Sequence, residues 1–70
     1  MLREVVSSSS LRSIGYDART RTLEVEFSGG RIYRYAPVPT HVWVELRRAE
    51  SKGKYFQDHV RDDFEAERVS

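Results

Sequence analysis

Apolar and polar residues alternate along three consecutive stretches of this chain. In L-R-S-I-G-Y-D-A (Leu11–Ala18), Ile14 and Tyr16 share one side with Arg12 in phase, while Leu11, Ser13, Gly15 and Asp17 take the other. In T-L-E-V-E-F-S (Thr22–Ser28) the alternation is cleaner, with Leu23, Val25 and Phe27 opposing Thr22, Glu24 and Glu26. In R-I-Y-R-Y-A (Arg31–Ala36), Tyr33 and Tyr35 oppose Ile32 and Arg34. Period two with β-branched and aromatic content predicts three strands, each burying one face.

The residues between the strands constrain their pairing. Matching Tyr16 with Leu23 and Ile14 with Val25 keeps every large apolar group on one face. It leaves Ala18-Arg19-Thr20-Arg21 as a four-residue hairpin loop after Asp17, a good turn-initiating residue. The second hairpin is more discriminating. A two-residue Gly29-Gly30 turn would set Val25 opposite Arg34 and turn both tyrosines toward Glu24 and Glu26. A three-residue loop, Ser28-Gly29-Gly30, with a glycine in the left-handed region sets Val25 beside Tyr33, Leu23 beside Tyr35 and Glu24 beside Arg34. Only the second register matches every pair, so Tyr33 and Tyr35 are expected on the core side.

Beyond Ala36 the period changes. Pro37 and Pro39 oppose both ladder pairing and helix continuation, so the third strand must end there. Val42, Leu46 and Ala49 then recur at helical spacing, with Pro39 or Thr40 opening the helix and Trp43 on its flank. Gly53 is expected as its C-terminal cap, with Arg47, Arg48 and Lys52 near the negative end of the helix dipole. A second helix is predicted over residues 54–64, K-Y-F-Q-D-H-V-R-D-D-F, from Phe56, Val60 and Phe64. The expected architecture is α+β, a three-stranded antiparallel β-meander with two helices packed on one face. Its expected core is Ile14, Tyr16, Leu23, Val25, Phe27, Tyr33, Tyr35, Val42, Leu46, Phe56 and Val60. Residues 1–7 read as a flexible lead-in, running into the serine run Ser7–Ser10; residues 8–68 read as one domain and 69–70 as a tail.

Composition narrows the setting. A chain of 70 residues forms one small core and buries only about 60% of its unfolded surface. Without cysteine there is no disulfide framework and no thiolate ligand, which makes a reducing cytoplasm the default location. No apolar run approaches the roughly 18 residues of a membrane span, and M-L-R-E-V-V is too short an apolar run for a signal peptide. The net charge is +1, but it is unevenly spread. Residues 1–54 hold ten Lys/Arg against six Asp/Glu, and residues 55–70 hold two against five. That asymmetry permits an anionic partner without reaching the strongly basic balance of a dedicated nucleic-acid domain.

The order of these blocks carries a resemblance. S-S-x-L-x-S-I-G-Y-D (Ser8–Asp17), L-E-V-E-F (Leu23–Phe27), G-x-I-Y-x-Y (Gly30–Tyr35), V-P (Val38, Pro39) and A-x-S-x-G-x-Y-F (Ala49–Phe56) together resemble the KTSC domain. That family is named for a domain at the C-terminus of some lysyl-tRNA synthetases and also occurs as stand-alone small bacterial and phage proteins. The resemblance spans about Val6 to Arg68 and includes the family's Y-x-Y motif at Tyr33 and Tyr35. It implies an RNA-binding role, suggested by the attachment to a tRNA synthetase. It implies nothing about aminoacylation, because no synthetase domain is present here.

Two functional classes follow. As an RNA-binding accessory domain, the chain would take RNA or tRNA on Arg47, Arg48, Lys52 and Lys54, four cations within eight residues, with Arg19, Arg21 and Arg31 extending a basic rim. As a protein-interaction module it would bind a protein partner or itself, through an open sheet edge or beside Trp43. Tyr33 and Tyr35 could stack on bases only if exposed, and the register argues that they are core. No catalytic constellation, phosphate-binding glycine loop or metal-ligand spacing is present, so no enzyme activity, cofactor or metal is expected. His59 with Asp63 supplies only two metal ligands, and Asp58 with Asp62 reads as a solvated acidic face.

Overall fold

The computed structural model describes residues Met1–Ser70. Its elements in chain order are β1 (Glu4–Val5), β2 (Leu11–Asp17), β3 (Thr22–Phe27), β4 (Ile32–Ala36), α1 (Thr40–Arg48), α2 (Lys52–His59) and β5 (Glu65–Arg68). The strands form one antiparallel sheet in the order β1-β2-β3-β4-β5. The α+β class is as expected, but the sheet has five strands rather than three. Both added strands lie at the edges and lack apolar alternation: β1 is two residues long, and all four residues of β5 are exposed. Backbone pairing recruits both, joined at β1 by the Glu4–Arg47 ion pair, and hydrophobic periodicity reveals neither.

Both hairpins take the register derived from their side chains. Ile14 pairs with Val25 and Tyr16 with Leu23, and the Arg19 amide donates to Asp17 Oδ1 at 3.0 Å to start the turn. In the second hairpin Val25 pairs with Tyr33, Leu23 with Tyr35 and Glu24 with Arg34. The Phe27 amide donates to the Arg31 carbonyl at 2.9 Å, which leaves Ser28-Gly29-Gly30 as the loop. Gly30 takes φ +93°, a conformation that a side chain would oppose.

Ten residues form the core: Leu11, Ile14, Leu23, Val25, Tyr35, Val38, Val42, Leu46, Phe56 and Val60. Tyr16, Phe27 and Tyr33, expected within it, are half-buried at its margin. Leu11 and Val38 are additions. A bulge between Leu11 and Ser13 brings Leu11 onto the face of Ile14, against the simple alternation that set them apart. Val38 plugs the core between two prolines, its amide bonded to the Arg21 carbonyl and its carbonyl accepting from the Tyr16 hydroxyl.

The helix boundaries also differ from expectation. α1 stops at Arg48 because Ala49 is already extended (ψ 138°). Ser51 then caps α2, its hydroxyl accepting from the Lys54 amide. Gly53 therefore lies in the first turn of α2 and is not the cap of α1. A β-carbon on Gly53 would lie 2.5 Å from Ser10 Oγ and 3.2 Å from Ser8 Oγ. The serine run packs against this turn, although its composition reads as flexible, and the preceding residues add β1 to the sheet. α2 ends at His59 rather than near Phe64, with the Val60 and Arg61 amides both bonded to the Phe56 carbonyl.

Candidate functional site

The outer face of the sheet, opposite the helices, is occupied by charge pairs. Glu24 on β3 accepts from Arg3 at 2.6 Å and from Arg34 at 2.8 Å. Glu26 accepts from Ser13 Oγ at 2.8 Å and lies 3.6 Å from Arg12. Arg3 reaches Glu24 by lying across Gly15 of β2, where any β-carbon would meet the Leu2 carbonyl and the Arg3 stem. Burial alone would push the Glu24 carboxyl up, but the hydrogen bonds and charges of Arg34 and Arg3 outweigh it and hold the group below its usual value. These cations are neutralised, and the face presents no aromatic ring to a ligand.

The largest cavity, about 800 Å³, is a groove on the helix side near the β3–β4 loop. Its rim is formed by the serine run Ser7–Ser10 and by Glu50–Lys54, which meet at Gly53, and its aromatic lining is Phe27, Tyr33, Tyr35 and Phe56. Arg31 and Arg61 also line it. Strand alternation brings the two tyrosines to the lining, and the Ser51-capped turn brings the lysines to the rim. Tyr35 is 5% exposed and packs edge-on against Phe56, with centroids 5.3 Å apart. Burial pushes its hydroxyl up, with Tyr33 adding to the shift and Arg61 opposing it. Tyr33, between Phe27 and Tyr35, is half-buried and so has ring surface left for a ligand.

The candidate cations are divided by the fold. Lys52, Lys54 and Arg31 come together at the groove. Arg47 does not: it bonds Glu4 at 2.7 Å and covers the Trp43 ring at 5.4 Å. Arg48 faces an adjoining recess beside β1, which shares Ser7 and Lys52 with the groove. Arg19 and Arg21 sit in the β2–β3 turn, at the opposite end of β3 from the groove. Lys52 Nζ donates to the Ala49 carbonyl at 3.0 Å, and Lys54 Nζ pairs with Asp58 at 2.8 Å. Arg31 and Arg61 bond no other side chain. Sequence reasoning missed Arg61 and the serine wall. Arg61 lies among acids in the sequence, and the serines carry no periodic signal. Trp43, a candidate contact for a protein partner, stacks on Tyr16 at 5.5 Å and 13°. No group of three or more His, Asp or Glu side chains is placed to hold a metal ion.

Comparison with known proteins agrees with this architecture. The family model of the KTSC domain matches residues 7–64. An uncharacterized protein of Stutzerimonas stutzeri is 52% identical over 56 residues, covering 80% of this chain and 79% of that protein. A lysine-tRNA ligase of Nostoc sp. PCC 7120 is 40% identical over 62 residues, which cover 89% of this chain but only 11% of the ligase. The crystal structure of a KTSC domain protein from Yersinia pestis superposes with a TM-score of 0.96 at 35% identity, covering 99% of this chain and 97% of that one. A match that runs through the serine wall, the Y-x-Y strand and both helices shows that this chain belongs to the KTSC domain family.

Proposed function

We propose that this chain is a non-enzymatic domain that binds single-stranded RNA in the groove over Tyr33 that is rimmed by the serine run and the first turn of α2. The observation that carries this reading is the meeting of the half-exposed Tyr33 ring with Arg31, Lys52, Lys54 and Arg61 in one open cavity. Unpaired bases stack on aromatic rings, and cations along the rim hold the phosphates by releasing counterions. A duplex would leave Tyr33 no base face to stack on, so the ligand is a loop or an unpaired strand. Kinship with the Nostoc lysine-tRNA ligase supports RNA as the polymer. Binding on the sheet's outer face, as in an RNA recognition motif, is opposed by Glu24 and Glu26.

An amide-shift titration with tRNA and with a short unstructured RNA, at two salt concentrations, tests this. Shifts should concentrate at Ser8–Leu11, Tyr33 and Lys52–Phe56 and shrink at the higher salt. Shifts confined to β1, Arg47 and Arg48, insensitive to salt, would instead identify a protein-like contact surface.

A further inference from the structure

We infer that Glu50 makes this groove selective for ribose over deoxyribose by accepting a hydrogen bond from a 2′-hydroxyl; the inference rests on the single-stranded RNA reading above. Glu50 lies in the link between α1 and α2 and lines the same wall as Lys52 and Lys54. It is exposed and takes part in no hydrogen bond or ion pair, although two ammonium groups stand close in sequence. Both are engaged elsewhere, Lys52 by the Ala49 carbonyl and Lys54 by Asp58. The fold thus leaves one acceptor-only group without a partner on the wall where cations would hold phosphates.

A carboxylate in that position repels a phosphate chain unless the strand offers it a donor. On a nucleic-acid strand the donors are base N–H groups and the ribose 2′-hydroxyl. Bases belong on the half-buried rings of Phe27 and Tyr33, while the lysine wall meets the sugar-phosphate backbone. At that level the donor within reach is the 2′-hydroxyl, which DNA lacks. The serine hydroxyls that adjoin it on the same rim, which both donate and accept, complete a wall suited to a hydroxyl-rich strand. Glu50 therefore acts by penalising the wrong sugar as much as by binding the right one.

The test uses the full chain and three fluorescent strands of one sequence and about eight nucleotides, as ribo, 2′-deoxy and 2′-O-methyl forms. The wild-type protein should bind the ribo strand about 3- to 10-fold more tightly than either of the others, the worth of one net hydrogen bond. Glu50→Ala should tighten binding of the deoxy and 2′-O-methyl strands and bring all three within about twofold of one another. Because Glu50 has no partner in the fold, its melting transition should stay in place, which separates loss of selectivity from loss of structure. Equal wild-type affinity for ribo and deoxy strands would overturn the inference while leaving RNA binding standing. So would an equal tightening of all three strands by Glu50→Ala, which marks simple repulsion. Failure of the wild-type protein to bind any of the three at low salt would overturn the RNA-binding reading itself, and this inference with it.

Discussion

Glu24 is held between two guanidinium groups on the sheet's outer face, and its side chain is 7% exposed. Folding lowers its pKa from the ordinary 4.5, so as the pH falls the unfolded chain takes up this proton before the folded one does. The stabilisation is complete above the unfolded value and is lost as the pH drops through the lower folded value. Glu24→Gln should cost about 1 to 3 kcal/mol near neutrality and should flatten the acid limb of a stability profile measured by urea unfolding. The two tyrosines behave differently from each other. Tyr35→Ala empties a buried site and should cost about 3 to 5 kcal/mol, enough to unfold much of a chain this small. Tyr33→Ala removes a half-buried ring, so thermal melts should show a loss of only about 1 to 2 kcal/mol, while RNA affinity falls through loss of the stacking surface.

Two glycines mark the seams between elements. At Gly15 the obstruction to a methyl group is the Leu2 backbone itself, so Gly15→Ala should lift β1 from β2 and pull Arg3 away from Glu24. Hydrogen exchange should then show lost protection at the Val6 amide, which bonds the Arg12 carbonyl. At Gly53 the obstruction is the hydroxyl of Ser10, a side chain that can turn aside. Gly53→Ala should therefore change stability little but displace the serine wall and weaken RNA binding. The two helices are joined by the Tyr55 hydroxyl, which donates to Glu45 at 2.9 Å. Burial, then this bond, pushes the Tyr55 hydroxyl up to about 12. Leu46→Ala, at a fully buried site on α1, should cost roughly 2 to 4 kcal/mol by chemical denaturation.

Charge is sorted by side. The sheet's outer face consumes Arg3, Arg12 and Arg34 against Glu24 and Glu26, while the groove keeps Arg31 and Arg61 without side-chain partners. A net charge of +1 is therefore a poor guide to what a ligand would meet. Single-stranded binding loses about 0.7 in log K per unit log salt for each phosphate contact. With Arg31, Lys52, Lys54 and Arg61 as the contacts, the slope should not exceed about −3. Neutralising these four should reduce it toward zero, whereas neutralising Arg19, Arg21, Arg47 and Arg48 should leave it nearly unchanged.

The alternation of Leu23, Val25 and Phe27, and of Tyr33 and Tyr35, determined by itself which strand faces are buried. Together with Ser28-Gly29-Gly30 it determined the register, because a one-residue slip would turn Arg34 into the core. These are local, period-two constraints, and they need no partner from elsewhere in the chain. Tertiary structure alone decided the rest. β5 is held by backbone pairing to β4, and Ser7–Ser10 is ordered by its approach to Gly53, neither of which has a hydrophobic signature. It also separated Arg47 from Lys54, seven positions away on the next helix, because Ala49 breaks the helix and Ser51 starts another in a new direction. The groove is assembled from five separate parts of the chain, so linear spacing could name some of its residues but not their meeting.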